Sequence, residues 1–259
     1  MQPRTYLSGA ALALSLVIAA CANSAPIPAA APVPDYSAVV ADAARPSEDV
    51  ARDAARKPAD ILALTGIAPG DTVLEIEAGD GYFTELFSRA AGAEGTVYMQ
   101  NPASFDAFLG DRVSKRIDGR LANVSYLKTN FDAFGLPDAS VDIATWFQGP
   151  HELWYIPEGT TEKLGDPEKS FAEIARVLKP GGTFVVIDHV APAGAPPATG
   201  GETHRIDPAI IRDMAAAAGF TLAEESPLLR NPEDDGLTNV FDPAIRGKTD
   251  QVVLIFTRP

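Results

Sequence analysis

The chain has 259 residues, 46% of them hydrophobic, and a formal net charge of −14 at pH 7. A chain of this length and apolar content can bury a full hydrophobic core, and we expect one domain with extensions. The acidic balance argues against nucleic acid as a partner, because phosphate binding needs a basic surface that the sequence does not offer. It favours solubility and leaves room for a cationic substrate.

The first twenty residues are typical of an export signal. Arg4 gives a positive start, and the apolar run from Tyr6 to Ala20 is too short to span a bilayer as a helix. The run ends at Cys21, the only cysteine, in a sequence that resembles a bacterial lipoprotein cleavage site. We therefore predict a signal peptide over residues 1–20, a lipid on Cys21 and an exported protein anchored to a membrane in the periplasm or cell envelope. The alternative is a plain secretory peptide.

The next segments lead into the predicted domain. Residues 21–35 are rich in alanine and proline without an apolar period, so we predict a semi-rigid tether. Residues 36–67 look helical and form an N-terminal extension of a domain that runs over residues 36–259. This extension carries a charged cluster that is either a solvated helix face or a lid over a ligand: Arg52, Asp53, Arg56 and Lys57.

A strand, a glycine turn and a helix then follow without a gap. Thr72 to Glu77 is a short apolar run that predicts a buried strand, and Tyr82 begins a stretch with helical periodicity. Gly79 and Gly81 lie in the turn between them. Glycines at such a place let the backbone approach a ligand, and the helix N-terminus offers free N–H donors.

This stretch resembles motif I of the class I S-adenosylmethionine (SAM) methyltransferases, acid-x-Gly-x-Gly-x-Gly. Glu75 takes the acidic place, and Gly79 and Gly81 take those of the last two glycines. Glu77 stands where the first glycine is expected. The resemblance implies that Glu75, Glu77 and the turn from Gly79 through Asp80 to Gly81 lie against the cofactor.

Strands alternate with helices along the rest of the chain, which predicts a mostly parallel sheet with helices on both faces. A helix is expected where Phe105, Leu109, Val113 and Ile117 recur every four residues. Proline and glycines at 180–182 are predicted to stop a later helix and turn the chain into the sheet. The further strands are predicted at 95–100, 123–128, 141–147, 183–188, 221–224 and 251–257.

The resemblance extends over residues 60–259 and implies the α/β, Rossmann-like sheet of class I methyltransferases, with seven strands, of which the last is antiparallel. Where that family has a ribose-binding acid, this chain has Gln100 and Asn101. Asp132 falls where the family's acid reaches the adenine amino group. We place Asn101, Asp132 and Phe147, at the end of the fourth strand, among the cofactor-binding residues.

The three histidines of the chain fall near predicted strand ends or in the loop after the fifth strand: His151, His189 and His204. One interpretation is a general base near the methyl acceptor, with His151 and Glu152 as candidate catalytic residues. A second is a metal site made from the three histidines with Glu152, Asp188 or Asp207. A third is ordinary hydrogen-bonded loop histidines, and we assign no metal.

Two functions remain open. The first is a SAM-dependent methyltransferase that acts on a small-molecule acceptor. The second is a non-catalytic lipoprotein of the same fold that binds another ligand or a protein partner. The chain as a whole also resembles a group of exported proteins classed as predicted methyltransferases, in segments around Arg56-Lys57-Pro58, residues 203–207 and residues 239–250.

Overall fold

The structure is a computed structural model, and it describes residues 1–2 and 35–259. Cys21, the tether up to residue 34 and nearly all of the predicted signal peptide lie outside the described residues. In the part of the chain that is described, no helix has both the length and the apolar character required to cross a membrane.

Seven strands form one sheet in the order β3-β2-β1-β4-β5-β7-β6. Neighbours from β3 to β5 are parallel, and β7 is antiparallel to both β5 and β6. The predicted seven-stranded, mostly parallel sheet is thereby confirmed. The strands are β1 (Thr72–Ile76), β2 (Thr96–Asn101), β3 (Val124–Lys128), β4 (Val141–Phe147), β5 (Leu178–His189), β6 (Thr221–Ser226) and β7 (Gln251–Thr257).

Helices cover both faces of the sheet. The described α-helices are α1 (Tyr36–Val40), α2 (Ser47–Val50), α3 (Asp53–Arg56), α4 (Pro58–Thr65), α5 (Tyr82–Ala91), α6 (Asp106–Leu109), α7 (Arg112–Ile117), α8 (Pro167–Val177), α9 (Thr199–Thr203) and α10 (Pro208–Ala217). Two 3₁₀ turns, Ala103–Phe105 and Pro150–Trp154, follow β2 and β4.

Alternation along the strands explains the two apolar layers. Val73 of β1 packs into one buried cluster, whereas Leu74 and Ile76 pack into the other, on the opposite face. Successive side chains of a strand point to opposite faces, and a parallel sheet covered by helices is apolar on both. The charged turns are therefore left at the strand ends, where a ligand can reach them.

The structure corrects two predicted elements. The single helix expected over 105–117 is a 3₁₀ turn followed by α6 and α7, because Gly110 leaves the helix with a positive φ of 56°. The fifth strand starts at Leu178 rather than at 183, and the Pro-Gly-Gly segment forms a bulge against β4. Gly181 and Gly182 take part in backbone hydrogen bonds with Arg258, which follows β7.

The N-terminal extension packs on the motif I helix. The hydroxyl of Tyr36 donates to the carbonyl of Ile67 over 2.8 Å, so the start of α1 is tied to the end of the extension. Asp53 accepts hydrogen bonds from Arg45 and from the hydroxyl of Tyr82, both over 2.7 Å. The extension is thus fastened to the first turn of α5, next to the glycine turn.

Candidate functional site

The loop after β1 requires left-handed backbone at three positions. Glu77, Gly79 and Gly81 have φ values of 56°, 59° and 84°. A residue with a Cβ adopts this conformation at a cost that glycine does not have. This conformation explains why glycine is usual at the place of Glu77. In this chain the backbone is left-handed there although the residue is a glutamate.

Hydrogen bonds hold Glu77 in this conformation. Its N–H donates to Oε1 of Gln100 over 2.9 Å, and its Oε2 accepts from Nε1 of Trp146 over 2.9 Å. A Cβ on Gly149 would lie 2.3 Å from the same Oε2, so glycine is required there for the carboxylate to reach the indole. The side chain of Glu77 thus lies across the end of β4.

The two amides at the end of β2 bond to protein backbone rather than facing a cavity. Gln100 also donates from Nε2 to the carbonyl of Thr129 over 2.6 Å. Asn101 accepts from the N–H of Gly79 over 2.8 Å and donates to its carbonyl over 3.0 Å. Both amide side chains are fully buried. The predicted contact between Asn101 and a cofactor ribose would require these bonds to break.

A cavity of about 180 Å³ opens beside this turn, and we call it the loop cavity. Glu75, Glu77, Gly79, Asp80 and Phe147, all predicted cofactor contacts, line it, together with Arg56 and Gln148. Gly81 does not line it, and a Cβ on that residue would lie 2.9 Å from Cγ of Arg116.

Arg56 brings a positive charge to the loop cavity. Its guanidinium lies 4.7 Å from the ring centroid of Tyr82 and 5.9 Å from that of Phe83. Among the described residues, no acidic side chain forms an ion pair with it. Burial and the nearby Arg52 lower the pKa of Arg56, yet a guanidinium stays charged in proteins. The sequence marked Arg56 as one of a charged cluster and as part of a segment that resembles the exported group, but it did not assign this residue to a ligand.

Arg52, from the same charged cluster, belongs to a partly buried ion network. Asp49 accepts from Arg116 and from Arg52, each over 2.5 Å, and it is fully buried. Burial would raise the pKa of Asp49, but the two guanidinium groups outweigh it and lower the pKa. Arg52 also pairs with Asp80 over 3.3 Å. The helical extension therefore closes one side of the glycine turn through charged contacts.

Glu75 lies under the turn as a buried carboxyl. Thr84 donates its hydroxyl to Oε2 of Glu75. Burial raises the pKa of Glu75 to about 8, against the smaller lowering effect of this hydrogen bond. At neutral pH the group therefore carries a proton for most of the time.

Asp132 does not line the loop cavity. Its Oδ2 accepts from the N–H of Asp166 over 3.1 Å, so it supports the loop that leads into α8. Phe147 packs edge-on against Phe83 with ring centroids 4.8 Å apart. The aromatic side chain at the end of β4 is thus part of the wall that the turn faces.

A larger cavity of about 960 Å³ adjoins the loop cavity, and we call it the histidine cavity. The two cavities share Glu77, Phe105, Phe108 and Gln148. The larger one is lined by all three histidines and by Glu152, with aromatic side chains at its edge, including Tyr155 and Phe241. Residues that are far apart in the chain therefore meet where β4 and β5 end.

His151 is oriented by Asp188, the residue before the end of β5. Its Nδ1 lies 2.6 Å from Oδ1 of Asp188, whose Oδ2 accepts from the backbone N–H of His151 over 2.9 Å. Burial alone would lower the pKa of His151, but the carboxylates of Asp188 and Glu152 raise it to about 10. The sequence did not reveal this pairing, because nothing local links the two segments.

Glu152 and His204 complete a compact group with His151. Nδ1 of His204 lies 3.0 Å from Oε1 of Glu152 and 3.3 Å from Nε2 of His151. Burial would raise the pKa of Glu152, but the two histidines lower it to about 2. His189 stands apart: its Nδ1 bonds to the hydroxyl of Thr249 over 2.8 Å, and burial holds its pKa well below the usual value.

Comparison with known proteins agrees with the motif and the fold. Residues 74–186 match a family described as a methyltransferase domain. The chain is 31% identical over 128 residues to the ubiquinone/menaquinone biosynthesis C-methyltransferase UbiE of Hydrogenovibrio crunogenus. That alignment covers 49% of this chain and 45% of the relative, so the chain spans a little under half of that enzyme's length.

Solved structures share the fold at low sequence identity. A SAM-dependent methyltransferase from Aquifex aeolicus aligns with a TM-score of 0.58 and 20% identity, over 83% of this chain and 99% of the other. Geranyl diphosphate C-methyltransferase from Streptomyces coelicolor A3(2), in complex with Mg²⁺, geranyl-S-thiolodiphosphate and S-adenosyl-L-homocysteine (SAH), aligns with a TM-score of 0.58 and 16% identity. That alignment covers 88% of this chain and 86% of the other. At these identities the structures show that the fold is shared. The domain match and the similarity to UbiE support a relationship to SAM-dependent methyltransferases.

Proposed function

We propose that this protein is a SAM-dependent methyltransferase whose acceptor is a small molecule bound in the histidine cavity. The observation that carries the proposal is the meeting of the two cavities: the loop cavity, at the motif I turn, shares four lining residues with a much larger one. In open α/β sheets, ligands bind outside the carboxyl ends of the strands, which is where both cavities lie.

The residues of the loop cavity fit the methionine end of the cofactor. SAM has a carboxylate and an ammonium at that end, and it supplies an electrophilic methyl group. Arg56, which has no acidic partner among the described residues, would bind the carboxylate with charge-assisted hydrogen bonds. The carboxyl group of Glu77 would accept from the ammonium. At the ribose end, Gln100 and Asn101 stand where the family has an acid, and both side chains bond to the loop.

The histidine cavity suits an acceptor with an apolar body and a few polar atoms. Its volume of about 960 Å³ lies in the usual range for small-molecule sites. Phe108, Tyr155 and Phe241 supply aromatic surface, whereas His151 and Glu152 supply polar atoms. UbiE is named for quinone biosynthesis, and an aromatic acceptor is therefore the first class to screen. Methyl transfer needs the acceptor atom held in line with the methyl group, so positioning is the main task of this cavity.

The first test is equilibrium binding of SAM and SAH to the full chain by calorimetry. We expect micromolar binding. The Glu77→Gly variant should keep the fold and bind both compounds more weakly, because it removes the carboxyl group that would accept from their ammonium. A folded protein that binds neither compound at millimolar concentration would overturn the proposal and favour a non-catalytic protein of the same fold.

We also propose, from the sequence, that Cys21 carries a lipid and that the protein is exported and membrane-anchored. Radiolabelled palmitate should be incorporated into the wild-type chain in cells and not into Cys21→Ser. Equal labelling of both chains would show that the anchor is elsewhere, and labelling of neither would show that this protein has none.

A further inference from the structure

We propose that His151, Glu152 and His204 form a binding site for one divalent transition-metal ion, of the class to which Zn²⁺ belongs. The three residues offer ligand atoms that all lie within 4.8 Å of one another. The inference does not depend on methyl transfer, because it rests on the arrangement of these side chains alone.

The distances match those of metal ligands that share one ion. Nε2 of His151, Nδ1 of His204 and Oε1 of Glu152 form a triangle with sides of 3.3, 3.0 and 3.4 Å. Ligand atoms about 2.0–2.1 Å from a tetrahedral zinc ion are about 3.3 Å apart. An ion placed above this triangle would therefore be within bonding distance of all three atoms without movement of the side chains.

Hydrogen bonds within the group leave one oxygen unexplained. Oε2 of Glu152 is buried and has no hydrogen-bond partner among the described residues. A buried carboxylate oxygen without a partner is costly, and in a folded protein it points to an unseen ligand. The oxygen belongs to the same carboxylate as the triangle, so a metal ion would satisfy it by bidentate or alternating coordination.

Asp188 prepares His151 for this role. Its Oδ1 is 2.6 Å from Nδ1 of His151 and also accepts from the N–H of His189 over 2.7 Å, while Oδ2 accepts from the N–H of His151. The carboxylate is thus fixed by three contacts. Histidines that bind metals commonly donate their other ring N–H to a carboxylate, which orients the free nitrogen toward the ion.

The backbone holds the two halves of the site against each other. His151 and Glu152 lie in the 3₁₀ turn after β4, and His204 follows α9 in the left-handed conformation, with φ at 55°. A Cβ on Gly200 would lie 2.3 Å from the carbonyl oxygen of His151, and one on Gly201 would lie 2.6 Å from that of Trp154. Two glycines therefore let α9 approach the turn closely enough for His204 to join the group.

The ligand set defines the class of ion and leaves room for a further ligand. Imidazole nitrogens suit zinc, copper, iron and nickel, and two histidines with one glutamate are the protein ligands of a known type of catalytic zinc site. Three protein ligands leave at least one coordination position open. Since all three residues line the histidine cavity, that position would accept an oxygen, nitrogen or sulfur atom of a molecule bound there.

The test is metal binding by the full chain after removal of metals with a chelator. We expect one Zn²⁺ per chain by calorimetry, and visible absorption bands of four- or five-coordinate cobalt when Co²⁺ is added. Loss of a residue that orients a metal ligand weakens binding roughly 10–100-fold, and Asp188→Asn should have an effect in that range. His204→Ala and Glu152→Gln each remove a ligand atom, so each should weaken Zn²⁺ binding by at least as much.

His189→Ala is the matched control, because its ring lies in the same cavity, bonds to Thr249 and is not one of the three ligands. It should bind Zn²⁺ as the wild type does. Weakening by His189→Ala as large as that by His204→Ala would overturn the assignment. The assignment would also be overturned if the wild-type chain bound no stoichiometric Zn²⁺ and gave only the spectrum of hydrated Co²⁺. This outcome does not depend on whether the variants fold.

Discussion

The loop cavity and the histidine cavity meet at Glu77, yet their polar groups are satisfied in different ways. At the loop cavity, the amides of Gln100 and Asn101 bond to backbone, and Asp80 pairs with Arg52. At the histidine cavity, two imidazole nitrogens and a carboxylate oxygen converge, and Oε2 of Glu152 lacks a partner among the described residues. The amides beside the loop cavity thus support the loop itself, whereas the group in the histidine cavity keeps an oxygen that a ligand could bind.

The difference shows why residue type alone does not identify a site. Asn101 can bind a ribose hydroxyl by its chemistry, but its groups are already bonded to Gly79. Arg56 was one of several charges in a helical segment, but it is the cation that faces the loop cavity without an acidic partner in the described chain. Asn101 and Arg56 differ in their existing partners, since a buried polar group that is already hydrogen-bonded is not free to bind a ligand.

The largest effect is expected when the ion pairs between the helical extension and the region around the loop cavity are broken. Asp49→Asn should lower the free energy of unfolding by up to about 3–5 kcal/mol, because it removes the nearer carboxylate from the buried Arg116 and leaves it only the longer contact with Glu85, at 3.2 Å. Urea denaturation measures this change. Asp111→Asn, which removes an exposed pair with Lys115, is the control and should have no measurable effect. Similar results for the two variants would show that the helical extension is not held by this network.

The buried carboxyl of Glu75 should make stability depend on pH. Its folded pKa of about 8 is above the ordinary value of 4.5, so its contribution is fully present below pH 4.5 and is lost as pH rises to about 8. The slope is at most about 1.4 kcal/mol per pH unit. Arg116 and Arg56 lower this pKa and Asp80 raises it, but burial is the largest effect.

Glu75→Gln tests this directly, because glutamine keeps the shape and cannot titrate. The variant should gain stability relative to the wild type as pH is raised from 5 to 8, measured by urea denaturation at each pH. If the difference between the two proteins stays constant with pH, then Glu75 ionises in the folded chain much as it does in water.

Cofactor affinity tests the role of Arg56 at the loop cavity. Arg56→Ala should weaken SAH binding by roughly tenfold to a hundredfold, because a hydrogen bond to a charged group is worth about 1.5–3 kcal/mol. Arg56→Lys should recover part of the loss, since lysine keeps the charge but not the fork of donors. Calorimetry measures both. Arg212→Ala removes a guanidinium paired with Glu225 on the surface, and a comparable loss in that control would exclude a specific role for Arg56.

A smaller effect is expected from the amide that supports the loop. Gln100→Leu should lower the free energy of unfolding by about 1–3 kcal/mol, because the N–H of Glu77 and the carbonyl of Thr129 lose their partner in a buried place. Gln251→Leu is a suitable control, as the amide of Gln251 makes only a long contact of 3.4 Å with Thr249. Equal losses would mean that the loop finds other partners.

The sequence was sufficient for the elements whose pattern is local. The fourth and seventh strands have the predicted bounds, 141–147 and 251–257, because a short apolar run between turn signals is a feature of consecutive residues. Motif I was likewise visible in Glu75, Gly79 and Gly81. The seven-stranded, mostly parallel sheet with an antiparallel last strand was expected from the family resemblance, and the structure has it.

The contacts of the side chains at the strand ends come from the tertiary structure. It turned Asn101 back onto Gly79, paired His151 with Asp188 across 37 positions, and brought His204 to Glu152 across 52. It also divided the helix expected over 105–117 at Gly110. Each of these outcomes depends on contacts between segments distant in the chain, where packing and hydrogen bonding outweigh the local preference of a residue.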